Sequence, residues 1–493
     1  MIEGFEELIK TRYSSFEVYP DSFYELHGSE ILMIKTPEDK RLIVAGDDSS
    51  IFQELYGAIW NANGVALKDC ELTVENSKVI RRYFSFTNPV SLKLYDRTIG
   101  LGDRLGLASP GHIRTIKGFD VKPVLAQQSM RELNLTGRNF DSVLSDAVWA
   151  VFRENYRGGF GADADHLKTK DEVKQAIEAG YTMITLDCSN YITDISEKSE
   201  EELKDLYLEI HKDTRERLEE HFLDRTFTIG GLPISFTRQV LQRDAIIYQR
   251  AIDFATEIYH ELIKVMDDKI DFEISIDETS TPTKPSSHFF VAYQLNEAGV
   301  RVSSLAPRFC GEFQKGIDYI GDVKEFDEEF KSHVKIAEDF GYKISVHSGS
   351  DKFSIFPTVG RETRGRFHVK TAGTNWLEAI KVIIKADPCL YREIHSFGLE
   401  HLNEARAYYH ITANPDNIPD VYSMSDEKLL SLMYQDDARQ VIHITYGLIL
   451  QARKEDGAFL FRDRIYNCLH KNEQLYYDFL KEHIGKHLKA LLG

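Results

Sequence analysis

Eight short runs of small and apolar residues recur between positions 98 and 372, and their spacing limits what the chain can fold into. They are TIGLGD (98–103), VLAQQS (124–129), GFGADAD (159–165), TMITLD (182–187), FEISID (272–277), VSSLAP (302–307), KISVHS (343–348) and FHVKTA (367–372). Each ends in small or polar residues, and most are followed by a helical pattern such as FDSVLSDAVWAVFREN or FDEEFKSHVKIAEDFG. Strands alternating with helices read as βα units. Eight of them predict an α/β fold of the (β/α)8 TIM-like barrel type rather than a doubly wound sheet.

The remaining sequence decorates that barrel. Residues 1–95 mix strand-like EILMIKT and RLIVAG with a helix around IFQELYGAIW, and read as an N-terminal α+β cap. The barrel then spans 96–388. Between its fourth and fifth strands lies an insertion, 192–268, far longer than an ordinary βα loop. It carries two periodic segments, EEELKDLYLEIHKDTRERLEEHF and QRDAIIYQRAIDFATEIYHELIKVM. These predict a solvated helical hairpin on the barrel wall, with a lid as the alternative. Residues 389–493 form a C-terminal helical extension that includes the amphipathic CLYREIHSFGLEHLNEARAYYH.

Composition excludes several functions. A net charge of −19 disfavours nucleic-acid and anionic-membrane partners and leaves a small anionic substrate open. Five scattered cysteines show no C-x-x-C spacing, so no disulfide framework or zinc knuckle is expected and a reducing cytoplasm is the predicted location. The opening MIEGFEELIK lacks the basic and apolar regions of a signal peptide, and no 18-residue apolar run predicts a membrane span. The glycines of GLGDRLGLASPG do not form a G-x-G-x-x-G opening a helix, and neither G-x-S-x-G nor H-E-x-x-H occurs.

Chemistry is expected at the carboxyl ends of the strands, where barrel active sites sit. Those ends carry Asp103 and Arg104, Gln127, Gln128 and Ser129, Asp165 and His166, Thr185 and Asp187, Asp277 and Glu278, Arg308, His347 and Ser348, then Lys370 and Thr371. Carboxylates, imidazoles and cations converging on one rim point to catalysis. The run GFGADADHL concentrates the signal. Thr169 serves as N-cap of the following helix KDEVKQAIEAG, which stops at Gly180, so Asp165 and His166 are left for the site. His166 and His347 can share a divalent metal, with Glu278, Asp165 or His410 as third ligand. Lys352, in the turn SGSDK, joins Arg308 and Lys370 as a cation for an anionic substrate such as a sugar acid.

The ordered set GLGDRLGLASPGH, LAQQS, GFGADADHL, ISIDE and VHSGSDKFS resembles the bacterial tagaturonate/fructuronate epimerases, metal-dependent enzymes of hexuronate catabolism. The likeness runs from about Thr98 to the end of the chain. It implies inversion of the carbinol carbon C4, a divalent metal cation (zinc, nickel, iron or manganese), a hexuronate substrate and no organic cofactor. C4 lies β to both the ketone and the carboxylate, so its C–H is not acidified. Retro-aldol cleavage with re-addition is therefore expected over direct deprotonation, and over transient oxidation, which needs a nicotinamide. Asp165 and Glu278 are expected as the acid/base pair, and His166, His347 and His410 as metal ligands. Ser129 and Thr185 are expected to bind substrate hydroxyls, with Arg308, Lys352 and Lys370 for the carboxylate. A metal-dependent aldose–ketose isomerase of sugar acids and a non-catalytic sugar-acid-binding barrel are the alternatives.

Overall fold

All eight runs form strands, and the strands close on themselves. The computed structural model of the chain describes residues 2–279 and 281–493. In it the barrel strands are β1 (Arg97–Gly100), β2 (Lys122–Ser129), β3 (Gly161–Leu167), β4 (Met183–Asp187), β5 (Asp271–Ile276), β6 (Ser304–Pro307), β7 (Lys343–Val346) and β8 (Phe367–Lys370). Each is hydrogen-bonded to its neighbours in sequence, and β8 returns to β1 in parallel register with Phe367 opposite Arg97. The expected α/β barrel is therefore present.

Alternation along these strands is unusual. Asp163 and Asp165 on β3, Thr185 and Asp187 on β4, Glu273 and Ser275 on β5, Lys343 and Ser345 on β7, and His368 and Lys370 on β8 occupy every second position and are buried. The residues between them, such as Ala164, Ile184, Leu186, Ile274, Ile344 and Val369, are buried and apolar. A strand sends alternate side chains to opposite faces. The polar set faces inward, because Lys370 on β8 reaches Asp165 on β3 and Glu273 on β5 across the barrel. An ordinary barrel of this kind fills its interior with Val, Ile and Leu.

The chain divides into two compact units, one made of residues up to Val90 with Leu101–Ala162 and Ala372–Lys486, the other of Ser91–Gly100, Asp163–Thr371 and His487–Gly493. In the first, the N-terminal segment is an antiparallel sheet in which Ser29–Lys35 pairs with Lys40–Ala45, and that strand with Val65–Glu71. Helix Ile2–Ile9 buries Phe5 and Ile9 in one cluster with Leu32, Ile34 and Ile43. The helix expected around IFQELYGAIW covers only Ser50–Glu54, and Ala58–Ala62 forms a strand instead. That strand turns through Asn63 and Gly64, both at positive φ (54° and 84°), into Val65–Glu71, as a two-residue hairpin requires. The C-terminal helices share a core that includes Trp376, Tyr391, Tyr446 and Leu480.

In the second unit, the insertion is not helical throughout. Its first expected helix breaks at Ile210 and His211 into Glu200–Glu209 and Lys212–Phe222. A two-stranded hairpin, Arg225–Ile229 with Leu232–Phe236, follows, turning on Gly230 and Gly231 at φ 51° and 79°. Helix Arg238–Ile258 completes the insertion's main elements and stacks Phe254 on Tyr191, which lies beyond β4, at 4.1 Å between ring centroids. Among the described residues no helix is long and apolar enough to cross a membrane.

The helix after β3, Lys170–Ala179, has the predicted ends: Thr169 and Glu172 form a reciprocal capping box and Gly180 closes it at φ 94°. Thr169→Ala removes one N–H acceptor and is expected to lower stability by about 1 kcal/mol in denaturant titration. An unchanged midpoint would show that the cap contributes nothing.

Candidate functional site

Asp165 and His166 are adjacent, so a regular strand would point them to opposite faces. A bulge changes this. Pairs Met183↔Asp163 and Ile184↔Ala164 are followed by Leu186↔Leu167, so Asp165 and His166 together stand against Thr185. His166 has a φ of 57°, in the left-handed region, where a residue other than glycine is strained by roughly 1–3 kcal/mol. Its Nδ1 lies 2.7 Å from Asp165 Oδ1. Both side chains thus serve one site, and the His166 ring comes to 4.9 Å from that of His347.

His166, His347 and Asp277 offer three ligand atoms within 4.8 Å of one another. Each imidazole is anchored from behind: His166 by Asp165, and His347 through Nε2 at 2.7 Å from Glu273 Oε1. The opposite nitrogens turn to Asp277, His166 Nε2 at 4.0 Å from Oδ1 and His347 Nδ1 at 3.2 Å from Oδ2. His347 Nδ1 is buried and makes no aligned hydrogen bond there. A carboxylate behind each ring, leaving the other nitrogen directed at a common point, is the arrangement of metal-ligating histidines. Two nitrogens and a carboxylate with open positions suit a divalent transition metal or zinc. A second group, His166, Asp187 and Glu278, shares one of these imidazoles.

Beneath the imidazoles lies a buried ion cluster. Lys370 Nζ is 2.8 Å from Asp163, 2.7 Å from Asp165 and 2.8 Å from Glu273, and donates to the Thr185 hydroxyl at 2.5 Å. Thr185 in turn donates to Asp163 at 2.8 Å, and Ser304 donates to Glu273 at 2.5 Å. Burial pushes the Asp163 carboxyl up to about 7, with Lys370 opposing and the charges of Asp165 and Glu273 adding to the rise. Burial also acts against an ionised Asp165, but His166 and Lys370 outweigh it and hold that carboxyl well below the usual range. Burial opposes a charged His347 too, yet Asp277 and Glu273 raise it to about 10.

Of the residues expected from sequence, the structure brings together Asp165, His166, His347, Lys370 and Thr185. Glu278 is exposed and lies 3.7 Å from Lys168 Nζ. Lys352 is buried, its ammonium donating to the carbonyls of Gln314, Ile317 and Ser350. The Arg308 guanidinium donates to the Thr279 carbonyl. Ser129 caps helix Met130–Thr136, accepting from the Glu132 N–H. His410 is exposed, and the helix expected to carry it ends at Ala405. Asp103 accepts four backbone N–H groups from residues 105 to 109 and so shapes its own loop.

Asp277, Glu273 and Asp163 are the site residues that sequence reasoning passed over as functional. Strand parity identifies them: Glu273, Ser275 and Asp277 share a face, whereas Glu278 is out of phase with it.

Comparison with known proteins places this geometry in context. A family model described as tagaturonate epimerase matches residues 19–491. The chain is 41% identical over 483 residues to the tagaturonate/fructuronate epimerase of Thermotoga maritima, covering 97% of each chain. It is also similar to the fructuronate-tagaturonate epimerase of Cohnella laeviribosi, whose glycerol-complexed crystal structure is 48% identical with a TM-score of 0.95, covering 100% of this chain and 99% of that one. The native crystal structure of the same protein gives 48% and 0.94 over the same shares.

The raised Asp163 carboxyl makes stability depend on pH. The folded chain retains a proton there that the unfolded chain releases near pH 4, so this stabilisation is full below pH 4 and is lost as pH rises through about 7. Asp163→Asn lacks that loss. Between pH 5 and 8 its stability, measured by denaturant titration of chelator-treated protein, is expected to gain on the parent by at most about 1.4 kcal/mol per pH unit. A gap that stays constant with pH would contradict a neutral Asp163.

Proposed function

Because the chain belongs to the tagaturonate epimerase family, we propose that it interconverts D-tagaturonate and D-fructuronate through metal-assisted retro-aldol cleavage, with inversion at C4. The observation that supports this most is the pair of carboxylate-backed imidazoles directed at Asp277, beside an ionised Asp165. His166, His347 and Asp277 would hold a divalent cation, which when bound would supply Lewis-acid stabilisation for the negative charge that develops on the ketone side.

The chain's own groups manage the protons. One carboxylate takes the proton from the C4 hydroxyl as the C3–C4 bond breaks, leaving an aldehyde at C4 and an enediolate on the three-carbon fragment. The aldehyde rotates, the bond re-forms on its other face, and a proton returns to O4, so the substrate is neither oxidised nor reduced. Asp165 is one of these groups, oriented by His166 and Lys370. Glu278, exposed at the rim, is the other. Lys370, which also donates to the Thr185 hydroxyl, keeps Asp165 in place.

Two measurements test this reading. His166→Ala, His347→Ala and Asp277→Ala proteins are expected to lose bound metal by elemental analysis, whereas Glu278→Gln keeps it. His410→Ala decides the third position: retained metal assigns it to Asp277, and loss assigns it to His410. In deuterated water the epimerised product is expected to carry no deuterium at C4, and Asp165→Asn to lower kcat by roughly 10²–10⁴-fold. Deuterium at C4 would sink the retro-aldol route.

A further inference from the structure

We infer that Arg243, on the long helix of the insertion, binds the substrate carboxylate and sets the preference for uronates over uncharged ketoses, an inference that rests on the epimerase reading above. A cleft of about 400 Å³, a size suited to a small-molecule ligand, is lined from both sides. Ser189, Thr193, Asp194 and Ser196, which follow β4, form part of its wall, Glu278, Thr279 and Thr281, which follow β5, another part, and Arg243 and Tyr248 of helix Arg238–Ile258 the rest of the polar lining. Glu278 ties the cleft to the catalytic groups, because its carboxylate lies within 4.8 Å of ligand atoms of His166 and Asp187.

Arg243 is the one Lys or Arg among the described lining residues, and its charge acts on Asp244 and Tyr248 of the same helix. Its neighbour Asp244 is buried and accepts from the Ser287 hydroxyl at 2.7 Å. The cations expected from sequence are committed elsewhere: Lys370 lies among three carboxylates, Lys352 donates to three carbonyls and Arg308 to the Thr279 carbonyl. A guanidinium meets a carboxylate with two parallel N–H donors, which gives orientation as well as attraction. Hydroxyls of Ser189, Thr193 and Thr281 on the same wall match a polyhydroxylated chain. A hexuronate reaching from Arg243 toward Glu278 presents its far end to the imidazoles.

The test compares metal-reconstituted parent, Arg243→Ala and Arg243→Lys proteins, titrated calorimetrically with tagaturonate and with the ketohexose that carries a hydroxymethyl group in place of its carboxylate. Arg243→Ala is expected to weaken tagaturonate binding by about 10–100-fold and ketohexose binding by less than about 3-fold, so the preference collapses. Arg243→Lys restores part of it. Equal weakening of both ligands, or unchanged tagaturonate affinity in a folded Arg243→Ala protein, overturns the assignment. If Arg243→Ala does not fold, Arg243→Lys carries the decision: an unaltered preference with lysine's single-point donor overturns the bidentate contact. Parent protein that binds tagaturonate but never epimerises it counts against the reaction proposed above and not against Arg243.

Discussion

One ammonium group holds the middle of this barrel together. Lys370 enters from β8 and meets Asp163 and Asp165 of β3 and Glu273 of β5, all within 2.8 Å. Bringing such charges out of water costs several kcal/mol per ion, and the cost is met only where geometry and hydrogen bonds are good. Thr185 and Ser304 supply those bonds. The positions of both imidazoles follow from this arrangement, since Asp165 anchors His166 and Glu273 anchors His347. Lys370 therefore acts on the ligand nitrogens through two carboxylates, without touching either ring.

Filling a barrel with such groups costs stability that Val and Ile would have provided. What the chain gains is orientation. Carboxylates locked on both sides of a lysine have few rotamers left, and a ligand geometry built on strands is more exact than one built on loops. The bulge at Asp165 and His166 belongs to the same design, because it places a carboxylate and an imidazole side by side where strand alternation forbids it. The strain at His166 is the local cost of that placement.

The fold was legible because eight strand runs are separated by strong helical periodicity, and each observed strand lies within two residues of its expected ends except β1, which stops three residues early. The run GFGADADHL was legible too, since Thr169 visibly takes the capping role and releases Asp165 and His166. Less legible was the inner face. Glu273 sits inside FEISID, a run that reads as apolar until its alternate positions are counted, and Glu278 attracted attention that parity gives to Asp277. His410 depended on a helix that stops at Ala405, where no periodicity marks the end. The insertion hairpin carried its own signal in Gly230 and Gly231, masked by the long charged helices around it. Arg243 gave no signal at all, because its value comes from a cleft formed by segments distant in sequence.

Charge balance connects the cluster to the metal chemistry proposed for it. Asp165, Glu273 and Asp277 are held ionised, while Asp163 is pushed toward its neutral form. Lys370 and the imidazoles of His166 and His347, all raised by the carboxylates around them despite burial, face those negative charges. A dication bound by the ligand nitrogens would displace the protons those imidazoles hold, which would offset part of its charge. A substrate carboxylate would add to the negative charge already gathered in the cluster, which is the electrostatic argument for the carboxylate site proposed at Arg243, on the wall that the insertion supplies.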